Sequence, residues 1–396
     1  MKVNTQLQQV TFPPISEVKG WIAQRQFPAD KPLLDLCQAI PDYPPHPQLL
    51  EHLKHQLSDP TLAVYSPDEG LLEVRNSVSR WYKRRYGLDA AGGDDADAGP
   101  RPEQICLTIG ASQAFWLALL LVCRAGDEVI VQVPAYFDHP MALQTLGIVP
   151  RYVAVDTVGA LPDVEAIAAA ITPRTRAILL VTPSNPTGAI TPPALLEQLY
   201  QLAVEQDIAL ILDETYNAFV PGQLPPHALF AKPDWPRHLI HLASFGKTFA
   251  LTGFRAGALV ADQALIYQAL KVQDSMVVCQ PRITQRAVAY GCDHLDAWVA
   301  DNAAMMQRRH DQFVQLFNAS VRSFELAASG AFFAWVRHPW KELTGRQAAR
   351  RLADEANLIC LPGEVFGPGL EGYLRLAFGN IRLEQIETAV ARFAVQ

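Results

Sequence analysis

Short apolar segments alternate with longer amphipathic segments between residues 105 and 260. The apolar segments are rich in β-branched and aliphatic side chains, which is typical of buried strands. They cover residues 105–108, 129–133, 148–155, 177–181, 208–213, 239–244 and 256–261. Intervening segments, such as residues 113–124 and 192–206, have the length and periodicity of helices. The pattern therefore predicts an α/β fold with a mostly parallel, seven-stranded type of sheet covered by helices on both faces.

The pattern changes after about residue 300. A long polar helix is followed by two strand-like segments, residues 332–336 and 373–378, and by a closing helix that begins at Leu383. We therefore predict a large domain over residues 46–300, and a smaller α+β domain made of the C-terminal third, residues 301–396, and the N-terminal segment, residues 1–45. Residues 89–102 and 221–226 are rich in Gly, Asp or Pro and predict irregular loops.

Composition and charge narrow the class of protein. Of the 396 residues, 49% are hydrophobic and 18% are charged, and the formal net charge is -7. This excludes a disordered chain, which would combine low hydrophobicity with high net charge. The sequence has no block of Lys and Arg, so we expect no nucleic-acid partner. The longest apolar segment, residues 114–123, is shorter than a membrane span of about 20 residues, and no signal peptide is recognisable. We expect a cytoplasmic protein with no membrane partner.

Cysteine and histidine spacing gives no support for a metal site. The six cysteines lack the paired spacing of zinc or redox sites, and we expect them to be small buried hydrophobic residues. The ten histidines show neither HxxxH nor HxH spacing. We therefore expect no bound metal.

Small or polar residues follow several of the predicted strands directly. GAS (residues 110–112) follows the first strand, SNPTG (184–188) the fourth, DETY (213–216) the fifth and SFGK (244–247) the sixth. Ligands of parallel sheets bind at the carboxyl ends of the strands. Small residues before a helix also expose backbone N–H groups to an anion. The pattern indicates a site for a charged, phosphorylated cofactor.

Taken together, these motifs resemble the class I and II aminotransferases, which are pyridoxal-phosphate enzymes of fold type I. The resemblance extends from LDLCQAIPDYP (residues 34–44) to YLRLAFGN (373–380). It depends on the order SNPTG, DETY, SFGK, GFRAG and YLRLAFG, because each short motif alone is a weak signal. The resemblance implies bound pyridoxal 5′-phosphate and an α-amino acid and a 2-oxo acid as substrates.

The resemblance implies a role for each cofactor-binding residue. Lys247 would form a Schiff base with the cofactor aldehyde, and Asp213 would keep the pyridine nitrogen protonated. Asn185 and Tyr216 would hydrogen-bond the phenolic oxygen, and Tyr136 would stack on the ring. The phosphate would be bound by Ala111, Ser112, Ser244 and Arg255.

The resemblance also implies substrate contacts and a dimer. Arg375 would pair with the substrate α-carboxylate, assisted by Asn185. Ala39 would lie near that carboxylate, where relatives commonly have Gly. Tyr65 would reach the phosphate in the neighbouring subunit, so we expect a homodimer.

Simpler explanations exist when each residue is taken alone. Lys247 would be a solvated surface lysine, and Asp213 would merely cap a turn. Tyr136 would be a packing residue, and Arg375 would lie on the polar face of an edge strand. His139 either backs the stacked ring or lies at the start of a surface helix.

The sequence departs from the family pattern before the lysine and in the substrate region. Gly246 stands where relatives often have a second serine, so one phosphate hydroxyl is missing. Near the position where relatives acting on dicarboxylic substrates carry an arginine, this chain has Asp274, with Arg282 further on. A carboxylate there would repel an acidic substrate side chain and favour a basic or neutral one.

The expected activity is transamination by a ping-pong mechanism through Lys247. A second hypothesis is a pyridoxal-phosphate-dependent lyase or an amino-acid-modifying synthase, catalysing β-elimination or cyclisation on the same fold. This alternative stays open because the cofactor performs the chemistry and the pocket selects the bond. A non-catalytic sensor that binds the cofactor ranks last. The motifs do not identify the amino acid or the 2-oxo acid.

Overall fold

The computed structural model describes residues 1–88, 98–156, 159–220 and 225–395. Residues 89–97 and 221–224, which make up most of the two predicted loops, lie outside these ranges. The strands are β1 (Leu34–Asp35), β2 (Ile105–Ile109), β3 (Glu128–Val133), β4 (Val149–Ala154), β5 (Thr175–Val181), β6 (Ala209–Asp213), β7 (Leu239–Ser244), β8 (Ala256–Val260), β9 (Glu325–Gly330), β10 (Phe333–Arg337), β11 (Leu358–Ile359), β12 (Leu361–Pro362) and β13 (Tyr373–Ala377).

The α-helices surround these strands and alternate with them in the large domain. They are α1 (Thr5–Gln9), α2 (Pro14–Ile22), α3 (Pro47–Gln56), α4 (Leu72–Arg85), α5 (Gly110–Val122), α6 (Asp138–Thr145), α7 (Val164–Ala170), α8 (Pro193–Glu205), α9 (Phe245–Thr248), α10 (Gln263–Val277), α11 (Arg282–His294), α12 (Asp296–Ser320), α13 (Gly345–Ala356) and α14 (Leu383–Ala394). None of the helices in the described ranges combines the length and apolar composition that crossing a bilayer requires.

Seven strands form one sheet in the order β2-β8-β7-β6-β5-β3-β4. Strands β3 to β7 pair in parallel, while β8 runs antiparallel to both of its neighbours, β2 and β7. The predicted sheet, mostly parallel and of seven strands, is confirmed. The direction of β8 was not predictable, because an apolar segment has the same pattern in either direction.

Helices cover both faces of this sheet because successive residues of a strand point to opposite faces. In β5, Ile178 and Leu180 pack into a core with α4, α8 and α11, whereas Ala177 and Leu179 pack into a core with α5, α6 and α10. All four side chains are buried. The carboxyl ends of the strands therefore remain as the open edge at which a site can form.

The C-terminal part contains an antiparallel sheet in the order β12-β13-β10-β9. Its core includes Phe313 of α12, Leu352 of α13 and Phe393 of α14. The N-terminal segment joins this part because β1 pairs in parallel with β11, with Leu34 opposite Leu358. The smaller α+β unit is confirmed, while its boundaries at residues 45 and 300 stay predictions.

The cysteines and histidines form no metal site in the described ranges. No group of three or more His, Cys, Asp or Glu side chains there is arranged to hold an ion. Four cysteines are buried as expected, whereas Cys123 and Cys279 are partly exposed.

Candidate active site

Polar side chains from three parallel strands meet at one edge of the large sheet. Asp213 is the last residue of β6, Ser244 is the last residue of β7, and Asn185 lies four residues beyond the end of β5. With the start of α5 they surround a cavity of about 400 Å³, a volume in the range of small-molecule sites. The predicted residues that line it are Ala111, Ser112, Tyr136, Asn185, Asp213, Tyr216, Ser244, Lys247 and Arg255.

Lys247 lies in α9, directly after β7, on the wall of this cavity. Its Nζ donates a hydrogen bond to the backbone oxygen of Ala39 at 2.6 Å and lies 6.0 Å from the centre of the Tyr216 ring. Burial lowers the pKa of Lys247 from 10.5 to about 7, and the positive charges of Arg255 and Arg375 act in the same direction. Lys247 is therefore not a solvated surface lysine. A large fraction of its amine is neutral, and hence nucleophilic, near pH 7.

Asp213 supplies a buried negative charge to the same cavity. Its Oδ1 accepts hydrogen bonds from the backbone N–H of Thr215 at 3.0 Å and from the Thr215 hydroxyl at 2.6 Å, and its Oδ2 lies 3.2 Å from His139 Nε2. Burial acts to raise the pKa of this carboxyl group, but the hydrogen bonds from His139 and Thr215 outweigh it and hold the pKa below its ordinary value. Asp213 thus caps a turn, and it also presents an anion to the cavity.

His139 connects this carboxylate with Tyr136. Its side chain is only 3% exposed, so the expectation of a surface helix start is wrong. The His139 ring stands edge-on to the Tyr136 ring, with centroids 5.2 Å apart, and packs on Phe115 at 4.3 Å. The Tyr136 hydroxyl donates a hydrogen bond to Asp138 Oδ2 at 2.6 Å. Tyr136 therefore has fixed polar and ring contacts within the site, beyond those of a simple packing residue.

A concave backbone surface forms where α5 begins. Gly110 has a φ of 73°, and a Cβ added there would lie 2.6 Å from Arg255 Nη2. A Cβ added at Gly257 would lie 2.5 Å from the Gly110 carbonyl carbon. The Arg255 guanidinium therefore packs against the backbone at the N-terminus of α5, where Ser112 also lines the cavity. A guanidinium beside the free N–H groups of a helix is a favourable site for a phosphate.

Arg375 is the most deeply buried charged residue near the site. It lies in β13, between β12 and β10, and is 1% exposed, so it is not on the polar face of an edge strand. Its Nη1 donates a hydrogen bond to Asn185 Oδ1 at 3.2 Å, and its Nη2 donates to the backbone oxygen of Cys37. Its Nε is buried and has no hydrogen-bond partner in the described part of the chain. A guanidinium with an unused buried donor is suited to a carboxylate ligand.

The lining of the cavity does not include Tyr65, Asp274 or Arg282 of the same chain. Ala39 and Arg375 are not part of the lining either, and they adjoin the cavity through their hydrogen bonds with Lys247 and Asn185. Tyr65 is 74% exposed, and its backbone oxygen accepts a hydrogen bond from Arg282 Nη2 at 2.7 Å. Asp274 is exposed near the end of α10. Tyr65 and Arg282 thus share one surface of the subunit, and their roles toward a neighbouring subunit stay predictions.

Several residues of the cavity were not among the predicted site residues. They are Val10, Phe115, Trp116, Asp138, Met141, Ala142, Thr145, Val181 and Thr215. Val10 reaches the cavity because α1 is bound to α6 through Gln6, whose Nε2 donates hydrogen bonds to the backbone oxygens of Gln144 and Thr145. No local pattern indicates this contact. Asp138 and Thr215 lie inside the VPAYFDH and DETY segments, where proximity to motif residues was an available signal.

The family model for class I and II aminotransferases matches residues 31–393 of the chain. The chain belongs to this family. It is similar to "Aromatic-amino-acid aminotransferase 2" of Thermococcus litoralis, with 28% identity over 91% of this chain and 93% of the relative. It is also similar to "Aspartate/prephenate aminotransferase" of Thermus thermophilus, with 29% identity over 91% of this chain and 90% of the relative. The resemblance inferred from the motifs is confirmed.

Solved structures confirm the architecture. The structure of aspartate aminotransferase from Thermus thermophilus with maleate superposes with a TM-score of 0.88 at 26% identity, covering 100% of this chain and 99% of that chain. The protein is thus an aminotransferase of fold type I. Enzymes of this family in general depend on pyridoxal phosphate.

Proposed function

We propose that this aminotransferase uses pyridoxal phosphate to exchange the amino group of an α-amino acid with a 2-oxo acid in two half-reactions. The observation that carries the proposal is one cavity in which the Lys247 amine, with a pKa of about 7, lies with the Asp213 carboxylate and the Arg255 guanidinium. Arg375 lies close enough for its charge to lower the pKa of Lys247. These are the groups that pyridoxal-phosphate chemistry on an amino acid requires.

The charges of the cavity match the parts of the cofactor. Arg255, Ser112, Ser244 and the N–H groups at Ala111 would hold the phosphate, because cations and helix amides attract it. Asp213 would lie at the pyridine nitrogen, where a buried carboxylate favours the protonated ring. The phenolic oxygen and the ring face would be held by Asn185, Tyr216 and Tyr136. When bound, the cofactor withdraws electrons from the substrate Cα and so weakens the bond to the proton there.

The protein residues bind, orient and move the proton. Lys247 Nζ takes up the proton that leaves the substrate Cα, which requires a neutral amine and is consistent with a pKa near 7. Arg375 binds the α-carboxylate and orients the amino acid, with its Nε as the donor that has no partner in the described ranges. The contact from Asn185 holds the guanidinium in place.

A second copy of the chain completes the site in this proposal. Tyr65 is an exposed aromatic side chain beside Arg282, and it would extend to the phosphate of the neighbouring subunit. A symmetric dimer is the commonest assembly and uses one surface on both subunits. Asp274 would then disfavour acidic substrates, so we propose a neutral or basic α-amino acid as the donor.

Absorbance spectra of the purified enzyme test this proposal. Each of a panel of amino acids, including aspartate, arginine and phenylalanine, is added without any 2-oxo acid. We expect conversion of the bound cofactor from its pyridoxal to its pyridoxamine form, reversed when a 2-oxo acid is added. Ammonia release without that conversion would instead indicate a lyase. Absence of cofactor absorbance after incubation with pyridoxal phosphate would contradict the proposal.

The same assay tests the substrate preference. We expect aspartate to be a poorer donor than phenylalanine or arginine in the wild type. Asp274→Ala is the matched variant, and it should improve aspartate relative to the other two. A clear wild-type preference for aspartate would exclude a repulsive role for Asp274.

A further inference from the structure

A second, much smaller cavity adjoins the active site. It has a volume of about 20 Å³ and shares His139, Tyr136 and Asn185 with the large cavity. Its other walls include Gln132 of β3 and Ser184. A space of this size accommodates one water molecule, provided that two or more polar groups face it.

Two polar atoms of the residues around this cavity have no partner. His139 Nδ1 and Gln132 Nε2 are both buried, and no described residue forms a hydrogen bond with either of them. Leaving buried polar atoms unpaired costs free energy, and they are normally satisfied by the protein or by ordered water. Since both residues line the same water-sized space, one molecule has access to both.

For a neutral His139 ring, hydrogen-bond accounting fixes the direction of each bond. His139 Nε2 faces the Asp213 carboxylate at 3.2 Å, and this anion accepts only, so Nε2 carries a proton. In the neutral ring Nδ1 is then an acceptor, whereas the Gln132 amide nitrogen is a donor. A water molecule matches both, because it accepts from Gln132 and donates to His139.

We propose that Gln132 is a positioning residue, which acts through one buried water molecule to keep His139 as the neutral Nε2–H tautomer against Asp213. The bonds run in one direction, from Gln132 to water, from water to Nδ1, and from Nε2–H to Asp213. Bonds aligned in this way polarise each other. The charge of Asp213 is then not cancelled by an imidazolium. This inference rests on the proposed function for the part that Asp213 plays toward the cofactor.

A test of this proposal must leave the other groups around His139 unchanged. Asp213 of β6 faces its Nε2, while Tyr136 and Asp138 lie beside it at the start of α6, and Phe115 of α5 supplies a non-ionisable face. None of these residues is changed by a substitution at position 132. Gln132→Met and Gln132→Glu are a matched pair, since both preserve the length of the side chain and differ in the atoms at its end.

Two measurements on the purified protein at pH 7.5 decide the proposal, and neither depends on turnover. A high-resolution crystal structure should show one water molecule within 3.2 Å of Gln132 Nε2 and His139 Nδ1. Nitrogen NMR of the histidine-labelled protein, with the His139 signals assigned by their loss in His139→Asn, should show the neutral Nε2–H tautomer.

The variant Gln132→Met should lose the water and change the chemical shift of His139 Nδ1. Gln132→Glu should make the His139 ring doubly protonated, because the new carboxylate reverses the direction of the bonds to the water.

The outcomes separate this inference from the proposed function. No water at the site, an Nδ1–H tautomer in the wild type, or unchanged His139 signals in both variants would overturn the role of Gln132, even if transamination is found. The expected water and tautomer in a protein that does not transaminate would leave the positioning of His139 intact and remove the proposed function instead. For an active enzyme, we expect Gln132→Glu to lower kcat more than it changes the KM for the amino acid.

Discussion

The candidate site, the cavity together with the residues bonded to its lining, has two walls that are built in different ways. The cofactor wall, made of Ala111, Ser112, Asp213, Ser244, Lys247 and Arg255, lies at the strand ends and adjoining turns of the large sheet. The carboxylate wall, made of Ala39, Asn185 and Arg375, joins segments far apart in the chain, and the bond from Arg375 to Cys37 spans 338 residues. One wall is fixed by local turns, and the other by the packing of the smaller sheet. Substitutions in the carboxylate wall should therefore leave the affinity of the cofactor wall for the cofactor largely unchanged.

Removal of the lysine from the cofactor wall should have the largest effect. Lys247→Ala deletes both the covalent attachment and the group that moves the substrate proton. We expect kcat to fall by about 10⁴-fold, the upper end for an acid–base group, with an unchanged circular dichroism spectrum. Near-wild-type turnover would contradict the assignment of Lys247.

Both walls contribute to the reactivity of that lysine, and the pH dependence of cofactor uptake measures their contributions. Because the amine has a pKa of about 7, the rate at which the apoprotein binds pyridoxal phosphate covalently should rise with pH and reach half its maximum near pH 7. At that pH the neutral fraction exceeds that of an ordinary lysine by roughly three orders of magnitude. Arg375→Gln removes one positive charge and should shift the midpoint upward. A rate that still increases beyond pH 9 in the wild type would show an ordinary lysine.

The carboxylate wall is tested by Arg375→Lys. This substitution retains the positive charge but loses the planar guanidinium, which can donate two parallel hydrogen bonds to a carboxylate. We expect a loss of about 2–5 kcal/mol in transition-state binding, measured as a decrease in kcat/KM for the amino acid of roughly 30-fold or more. The dissociation constant of the cofactor, measured by equilibrium dialysis, should stay within about twofold of the wild-type value, well below the tenfold that 1.4 kcal/mol represents. A large loss of cofactor affinity would show that the two walls are not independent.

Backbone packing in the cofactor wall is tested by Gly257→Ala. The new Cβ would lie 2.5 Å from a backbone atom of Gly110, so the start of α5 must shift. Overpacking of this kind costs about 1–3 kcal/mol, and cofactor affinity should decrease as the helix N-terminus moves. Gly253→Ala is the matched control, because no atom of the described residues lies within 4 Å of its added Cβ. Equal effects of the two substitutions would exclude a specific role for the close approach at Gly257.

The same contrast explains how much of the site was predictable. The residues of the cofactor wall follow apolar segments that mark strands, and the predicted and observed ends of β6 and β7 coincide at Asp213 and Ser244. The motif resemblance also identified Arg375, but its burial and its bond to Cys37 depend on long-range packing. The pairing of His139 with Asp213 and the approach of Val10 have the same origin. A local pattern carries no information on which distant segments pack together.

The departure at Gly246 offers the smallest expected change, which is a gain in cofactor affinity. An added Cβ there would lie 3.5 Å from the nearest atoms, the Leu251 backbone oxygen and Thr252 Cα, which is ordinary contact, and the backbone does not require glycine. Gly246→Ser should therefore fold normally and restore the hydroxyl that relatives often have before the lysine. One added hydrogen bond contributes about 0.5–1.5 kcal/mol, so the dissociation constant for pyridoxal phosphate should decrease by about 2- to 12-fold. Gly246→Ala adds the Cβ without the hydroxyl and should leave the constant unchanged. If alanine gives the same gain as serine, the improvement comes from a stiffer α9, and the missing hydroxyl has no part in binding the phosphate.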